Sequence, residues 1–172
     1  PFVGQAGALP EIWSYGHRNA QGAAKRPSDG ALFSISHGAA GGDEVNRPEP
    51  GANYGWPDVS FGTNYSGAPF PAARRADVVP PLHYWDPSIA PSGAAFYDGD
   101  LFPSWRGDLF VGALRAQHIA RLEMDGDRET GEERLFDYEF GRIRDVRSGP
   151  DGALWFAVDD SRGFIYRVAP AR

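Results

Sequence analysis

The residues best suited to chemistry near the start of the chain lie in a short polar loop between two glycines, residues 16–22. The loop contains Arg18, Asn19 and Gln21. An arginine presents a planar fork of donors that suits carboxylates, and the two amides both donate and accept hydrogen bonds. Polar groups packed this densely are costly to bury without a partner. The loop therefore indicates either a ligand site or a solvated turn, and residue types alone do not separate the two.

A second candidate site is the glycine-rich stretch 36–46. Its glycines allow the backbone to turn carbonyl oxygens inward, and Asp43, Glu44 and Asn46 add side-chain oxygens. Several oxygen ligands in irregular geometry suit Ca²⁺, although the spacing is not that of an EF-hand loop. The stretch is compatible with a calcium site in which Asp43 and Glu44 are ligands. Taken alone, it fits a flexible loop with two solvated acids better.

A third candidate is the pair Arg142 and Arg144, which are separated by one apolar residue. Side chains alternate across a strand, so a strand here would place both guanidinium groups on one face. Two cations side by side repel unless an anion lies between them. In a chain of net charge −6, this pair predicts an anionic small-molecule ligand, and the alternative is an exposed edge strand protected by charge. Arg115, after the apolar run 109–114, fits either a similar site or a solvated strand end.

Aromatic residues offer flat faces that stack on planar cofactors or on sugar rings. The candidates are Trp13, Trp56, Tyr84 and Trp85. For at least two of them, burial in a sheet core is the better interpretation. No Ser-His-Asp or Cys-His arrangement is readable, no glycine-rich phosphate loop precedes a helix, and the four histidines show no zinc-like pairing.

Short strands joined by tight turns would have to hold these residues. A dipeptide of Asp and Gly followed by a leucine and an aromatic residue occurs four times, at residues 29–33, 98–102, 107–111 and 151–156. Asp-Gly between apolar runs is a strong hairpin signal because glycine tolerates positive φ. Residues 117–122 and 163–168 alternate like half-buried strands. The repeat predicts an all-β fold made of propeller blades.

The length of the chain sets how many blades it can supply. At roughly 40–50 residues per blade, 172 residues correspond to about three or four blades. Three blades leave open sheet edges, which natural proteins avoid. We therefore expect one partial propeller domain over residues 1–172, without a second domain, that forms part of a larger propeller. The stretch 46–91, rich in Pro, Gly and aromatic residues, interrupts the repeat and is expected to be a functional loop.

The composition argues against several classes of function. A net charge of −6 argues against non-specific nucleic-acid binding. No apolar run is long enough to span a bilayer. The absence of cysteine excludes a disulfide framework and a thiolate metal site, and it leaves the cellular compartment open.

Five segments together resemble one family, the soluble glucose and aldose sugar dehydrogenases that depend on pyrroloquinoline quinone (PQQ). The segments are EIWSYGHRNAQG at 11–22, GDEVN at 42–46, NYGWP at 53–57, APSG at 90–93, and RIRDV at 142–146 followed by GPDG at 149–152. They occur in the order of the family and span nearly the whole chain. The chain is more similar to the aldose-type bacterial branch than to the glucose-specific branch.

The resemblance implies a six-bladed propeller with PQQ across its central axis, of which this chain forms the later blades, roughly the C-terminal half. It implies that PQQ is contacted by Arg18, Asn19, Gln21, Arg115, Arg142 and Arg144. The family usually has lysine where Arg115 stands, so a cation is kept with a different geometry.

The resemblance also implies calcium and substrate contacts. The backbone carbonyls of Gly38 and Ala39 match those that hold the calcium ion of the cofactor, and the family often has proline at Ala39. Glu44 and Tyr54 match a region that holds structural calcium. Trp85 lies near an aromatic residue that faces the sugar.

The reaction that the resemblance implies is oxidation of an aldose at its anomeric carbon to a lactone. A histidine base takes the hydroxyl proton, PQQ accepts the hydride, and an external electron acceptor reoxidises the cofactor. In the family this histidine belongs to the earlier blades, and none of the four histidines here matches it. We therefore expect no catalytic residue in this chain and no dehydrogenase activity from the isolated chain. The resemblance also implies a periplasmic or secreted location.

Two other functions remain open at this point. A calcium-dependent propeller lactonase or hydrolase would use Asp43, Glu44 and Asn46 around a metal and would not need Arg142 and Arg144 on one face. A non-enzymatic propeller module would bind glycans or proteins and would show no spectral change on addition of PQQ.

Overall fold

The computed structural model describes residues 1–171, and over these residues the chain forms eleven β-strands and one short 3₁₀ helix. The first sheet contains β1 (Ala20–Lys25), β2 (Leu32–Ser36), β3 (Asp43–Asn46) and β4 (His83–Trp85). The second contains β5 (Pro91–Phe96), β6 (Leu109–Ala113), β7 (Ile119–Asp125) and β8 (Arg128–Leu135), with the helix Pro103–Trp105 between β5 and β6. The third contains β9 (Ile143–Ser148), β10 (Leu154–Val158) and β11 (Phe164–Val168).

Each sheet is an antiparallel meander in which the strands pair in sequence order. The first two sheets have four strands and the third has three. Four-stranded meanders arranged one after another are the blades of a β-propeller. The prediction of an all-β partial propeller is confirmed.

The first strands of the three sheets, β1, β5 and β9, lie side by side. Ser92 on β5 donates from its hydroxyl to the carbonyl oxygen of Ile143 at 2.7 Å, and Arg147 donates to Ala94 at 3.0 Å. A side-chain carbon at Gly22 would clash with the carbonyl oxygen of Ser92. Residues further along β5 therefore contact residues further along β9, so these two strands run in the same direction, and β1 lies beside β5.

Two hydrophobic clusters fill the spaces between neighbouring sheets. The first joins the first and second sheets and includes Phe33, Ile35, Val45, Trp85, Phe96 and Leu109. The second joins the second and third sheets and includes Tyr97, Phe110, Ile119, Ile143, Leu154 and Phe156. Burial of these apolar faces against one another is what holds successive blades together.

The Asp-Gly pairs mark chain reversals as predicted at two of their positions. Gly30 lies in the turn between β1 and β2 with φ of 74°, and Gly152 lies in the turn between β9 and β10 with φ of 75°. Both values fall in the left-handed region that glycine adopts without a steric penalty. The predicted alternation holds in β11 from residue 165 to residue 168, since Tyr166 and Val168 pack against the second cluster while Ile165 is exposed. Phe164, at the start of the strand, is also exposed.

The stretch that interrupts the repeat is irregular until β4. Single pairs rather than strands attach it to its neighbours, with Tyr15 opposite Asn53 and Ala40 opposite Thr63. This segment folds over the loop between β2 and β3. Over the part of the chain that the structure describes, no helix has the length and apolar character needed to cross a membrane.

Candidate functional site

Strand direction gathers the predicted site residues at one end of the three sheets, which we call the mouth. It is the end at which β1, β5 and β9 begin. Because the sheets are antiparallel, β2, β6 and β10 end there. The mouth therefore holds Arg18, Asn19 and Gln21 at the start of β1, Gly38 and Ala39 after β2, Arg115 after β6, and Arg142 and Arg144 at the start of β9.

Arg142 and Arg144 converge on one carboxylate, that of Asp159, just beyond the end of β10. Its Oδ2 atom accepts from Nε and Nη2 of Arg142 at 2.9 Å and from Nη2 of Arg144 at 3.0 Å. The two guanidinium groups, that of Arg142 first, hold the pKa of Asp159 below its ordinary value. An anion does lie between the two arginines, and it belongs to the chain itself.

Arg18 is held by the backbone and by two aromatic rings. Its Nη1 donates to the carbonyl oxygen of His37 at 3.1 Å and its Nη2 donates to the hydroxyl of Tyr65 at 3.1 Å. The guanidinium carbon lies 5.1 Å from the ring centre of Trp56 and 5.7 Å from that of Tyr65. Such stacking orients the arginine without neutralising its charge.

The other predicted cofactor contacts are exposed. Gln21 donates from Nε2 to Oδ1 of Asn19 at 2.8 Å. Arg115 makes one long contact, from Nη1 to the carbonyl oxygen of Ser88 at 3.5 Å. Within residues 1–171, Arg142 and Arg144 share the carboxylate of Asp159, whereas neither Arg18 nor Arg115 has a carboxylate within ion-pair distance.

The loop after β2 presents backbone oxygens. Among residues 1–171, no group donates a hydrogen bond to the carbonyl oxygens of Gly38 or Ala39. A side-chain carbon at Gly38 would clash with the carbonyl oxygen of Gly41, so glycine is required where the loop folds back on itself. Two unsatisfied carbonyl oxygens in a tight loop fit the oxygen preference of Ca²⁺.

Asp43 does not fit its predicted role as a metal ligand. Its side chain is fully buried, and its Oδ1 accepts from the backbone of Gly38 at 2.9 Å. Its Oδ2 accepts from the hydroxyl of Ser88 at 2.7 Å and from the backbone of Ile89 and Ala90 at 2.9 and 3.1 Å. Four donors already satisfy the carboxylate, which ties the loop after β2 to the approach to β5.

Glu44, on the mouth side of β3, is a largely buried carboxyl group with a raised pKa. Burial raises its pKa to about 7, with a smaller contribution from Asp43, while a hydrogen bond of 3.0 Å from Asn46 opposes the shift. Glu44 and Tyr54 line a cavity of about 390 Å³, together with Arg74, Arg75 and a set of apolar residues. The hydroxyl of Tyr54 is engaged, since it donates to Arg47 at 2.5 Å and accepts from Glu49 at 3.0 Å. Within residues 1–171, no three acidic or histidine side chains cluster as a metal site.

Trp85, predicted as a sugar contact, is buried in the first hydrophobic cluster. Its indole donates to Glu132 of β8 at 3.2 Å, so the ring is directed toward the neighbouring sheet. The structure does not support its prediction as a substrate contact. The adjacent Tyr84 is exposed on the other face of β4 and stacks on Phe61 at 4.2 Å between ring centres.

Comparison with known proteins points to one family. The family described as glucose / sorbosone dehydrogenase matches residues 1–167. The chain belongs to this family. Aldose sugar dehydrogenase YliI of Escherichia coli strain K12 is 46% identical over 173 residues, which cover 99% of this chain and 47% of YliI.

Two solved structures illustrate the similarity to the family. A glucose dehydrogenase crystal structure aligns with a TM-score of 0.95 at 50% identity, over 99% of this chain and 50% of the other. The PQQ-bound form of an aldose sugar dehydrogenase from Streptomyces coelicolor aligns with a TM-score of 0.69 at 27% identity, over 98% of this chain and 45% of the other. The chain therefore spans about half the length of the relatives that it matches.

The four histidines of this family member are held in structural contacts. Nε2 of His17 lies 2.8 Å from the hydroxyl of Ser14, and its ring stacks on Tyr54, but no carboxylate completes a triad because Nδ1 has no partner within residues 1–171. Burial lowers the pKa of His17 and of His118. His37 lies 2.6 Å from the carbonyl oxygen of Pro91, and His83 faces two glutamates of β8.

Asp159 is the residue at this site that the sequence interpretation missed. Its position directly after the alternating run of β10 was the available signal, since β10 pairs with β9 and Val158 lies opposite Ile143. Recognising it requires knowing that pairing in advance.

Proposed function

We propose that this chain forms the cofactor-binding half of a PQQ-dependent dehydrogenase that oxidises aldose sugars at the anomeric carbon to lactones. The observation that carries the proposal is the set of four arginines at the mouth: within residues 1–171, Arg142 and Arg144 share one carboxylate, and Arg18 and Arg115 have none within ion-pair distance. In a chain of net charge −6, four arginines with incompletely paired guanidinium groups fit a small ligand with several carboxylates. The PQQ-bound relative from Streptomyces coelicolor supports this choice of ligand.

Each residue has a defined part in this proposal. Arg142 and Arg144 bind carboxylates of the cofactor, and Arg18, which is oriented by Trp56 and Tyr65, binds a further acceptor group. Asn19, Gln21 and Arg115 complete the set of hydrogen-bond donors. The carbonyl oxygens of Gly38 and Ala39 ligate Ca²⁺. When bound, PQQ supplies the hydride acceptor and Ca²⁺ supplies a Lewis acid.

The proton acceptor lies outside these 172 residues in our proposal. The rings of His17 and His37 are engaged in contacts, and His118 is fully buried. We therefore expect the isolated chain to lack dehydrogenase activity. Dye reduction by the purified chain with PQQ, Ca²⁺ and glucose would contradict this expectation. We also propose a periplasmic or secreted location, which fractionation of cells that express the full-length protein would test.

The alternative as a calcium-dependent hydrolase is less well supported. It needs Asp43 as a metal ligand, and four donors already saturate that carboxylate. It also assigns no role to the positive charge at the mouth. A non-enzymatic binding module accounts for the fold but equally leaves Arg142 and Arg144 unexplained.

The test is a titration of the full-length apoprotein with PQQ in the presence of Ca²⁺, followed by the quinone absorbance. We expect saturable binding that the double change Arg142→Ala with Arg144→Ala weakens by about a hundredfold or more, because hydrogen bonds to charged groups contribute about 1.5–3 kcal/mol each. Arg128→Ala is the matched control, because Arg128 is an exposed arginine at the opposite end of the second sheet, where it pairs with Asp125 at 3.1 Å. Equal binding by the double variant and the control would refute the proposal.

A further inference from the structure

Asp159 has a position that neither the resemblance nor the comparisons assign to any role. Its backbone is fixed, since its N–H donates to the carbonyl oxygen of Arg142 at 2.8 Å. Its carboxylate then reaches both arginines through the single oxygen Oδ2, at 2.9 and 3.0 Å. Both the backbone and the carboxylate of Asp159 are therefore held by hydrogen bonds to the residues at the start of β9.

Without Asp159 the two arginines would have no common anchor. Both side chains are about half exposed, at 49% and 47%, and each carries a full positive charge. Long exposed side chains lose rotamer freedom when a ligand orders them, and like charges favour their separation. Within residues 1–171, no other carboxylate lies within ion-pair distance of either arginine.

The shared carboxylate leaves the pair able to bind another anion. Each guanidinium has five N–H donors, and those directed at Asp159 are Nε and Nη2 of Arg142 and Nη2 of Arg144. The remaining donors of both groups, and one net positive charge, are left for a ligand. An internal carboxylate of this kind can hold two guanidinium groups close together before the ligand arrives.

We infer that Asp159 is a positioning residue that preorganises Arg142 and Arg144 into a single clamp for a ligand with several carboxylates. The inference rests on the proposed function, which identifies that ligand as PQQ. It adds to that proposal that a negatively charged residue favours the binding of a negatively charged cofactor. Simple charge repulsion would give the opposite effect.

The experiment measures the dissociation constant of PQQ for the full-length apoprotein in the presence of Ca²⁺, by quinone absorbance, without any activity assay. Asp159→Ala removes both the charge and the acceptor, whereas Asp159→Asn keeps an oxygen that can accept from an arginine. Asp160→Ala is the control, since Asp160 is the next residue and contacts Arg162, at 2.9 Å from its backbone nitrogen and 3.7 Å from its Nε.

We expect Asp159→Ala to weaken PQQ binding about tenfold, because two rotamer-rich side chains would then have to be ordered when the ligand binds. Asp159→Asn should recover part of that loss, and Asp160→Ala should stay within about twofold of the wild type. The melting temperatures of all three variants should match, because these groups are exposed.

The contrary outcomes separate the two proposals. Wild-type protein that binds PQQ, with Asp159→Ala binding it equally well or more tightly, overturns the positioning role and leaves the proposed function standing. An equal loss of affinity in Asp159→Ala and Asp160→Ala also overturns that role. Wild-type protein that takes up no PQQ overturns the proposed function itself, and the inference with it.

Discussion

Paired arginines at the mouth and at the opposite end of the sheets differ in how many aspartates they share. We call the opposite end the floor, defined by the turn between β1 and β2 (residues 26–31) and the turn between β7 and β8 (126–127). At the floor, Arg26 and Arg47 pair with Asp29 and Asp127, two cations with two anions. At the mouth, Arg142 and Arg144 share Asp159, two cations with one anion.

Arg26 at the floor is also much more buried than Arg142 and Arg144 at the mouth. The side chain of Arg26 is only 11% exposed, and its donors are taken by Asp29, Asp127 and the carbonyl oxygen of Gly126 at 2.6–2.9 Å. Since Asp127 and Gly126 belong to the second sheet, this network joins two blades. A buried cation must be fully paired, whereas an exposed one tolerates a deficit of negative charge. This contrast fits a structural role for the floor and the proposed ligand-binding role for the mouth.

The largest effect that would test this comparison is expected from Arg26→Ala. Removing the cation takes the partner from Asp29 and one of two partners from Asp127, which keeps Arg47. The link between the blades is weakened, so we expect the free energy of unfolding to fall by about 3 kcal/mol. Urea denaturation of the full-length protein measures it. The exposed control Arg128→Ala should cost less than about 0.5 kcal/mol. A large loss of PQQ affinity in Arg26→Ala at unchanged stability would mean that the two ends are not separate.

The next effect concerns pH and Glu44. The pKa of Glu44 is raised to about 7 by burial, whereas an unfolded glutamate titrates near about 4.3. The folded state therefore holds its proton more tightly, so this contribution to stability is complete below about pH 4 and is lost as the pH rises through about 7. We expect the loss to amount to about 2–3 kcal/mol and Glu44→Gln to abolish it.

Denaturation curves measured from pH 4 to pH 8 would check this, with Glu139→Gln as the control because Glu139 is exposed. Adding Ca²⁺ to the same experiment tests whether Glu44 is a ligand. If Glu44 is a calcium ligand as predicted, added Ca²⁺ should stabilise the wild type at pH 8 more than Glu44→Gln. A pH dependence that persists unchanged in Glu44→Gln would assign it to another group.

The smallest effect is expected from Arg115→Lys. Arg115 is exposed and makes one long contact with Ser88 at 3.5 Å, so its fork of donors is hardly used and a lysine keeps the charge. We expect less than about a threefold change in the dissociation constant of PQQ. A loss beyond about tenfold would show that the planar guanidinium, rather than its charge, is required at this position.

Much of the fold could be predicted because its signals are local. The turns at Gly30 and Gly152 follow from the positive φ that glycine accepts at both positions. The common face of Arg142 and Arg144 follows from the period of two in a strand, and the contacts of both with Asp159 agree with it. The family could be recognised because its motifs lie in these same local segments.

Two other predictions, for Trp85 and Asp43, are not supported by the structure because they depended on burial. Alternation places Tyr84 and Trp85 on opposite faces of β4, but only the contact with the second sheet decides that Trp85 is the buried one. The same holds for Asp43, whose four donors include three from residues 88–90, about 45 positions further along the chain. Such contacts carry no signal in the neighbouring sequence.

The sequence by itself determined where the chain turns, which residues alternate, and that the arginines at the start of β9 share a face, because each of these depends on a few consecutive residues. The tertiary structure alone decided that the predicted site residues meet at one end of the sheets, that Asp159 lies between two arginines, and that Glu44 is buried enough for its pKa to rise. Charge balance and burial depend on groups brought together from distant segments, and only the packing of the blades brings them together.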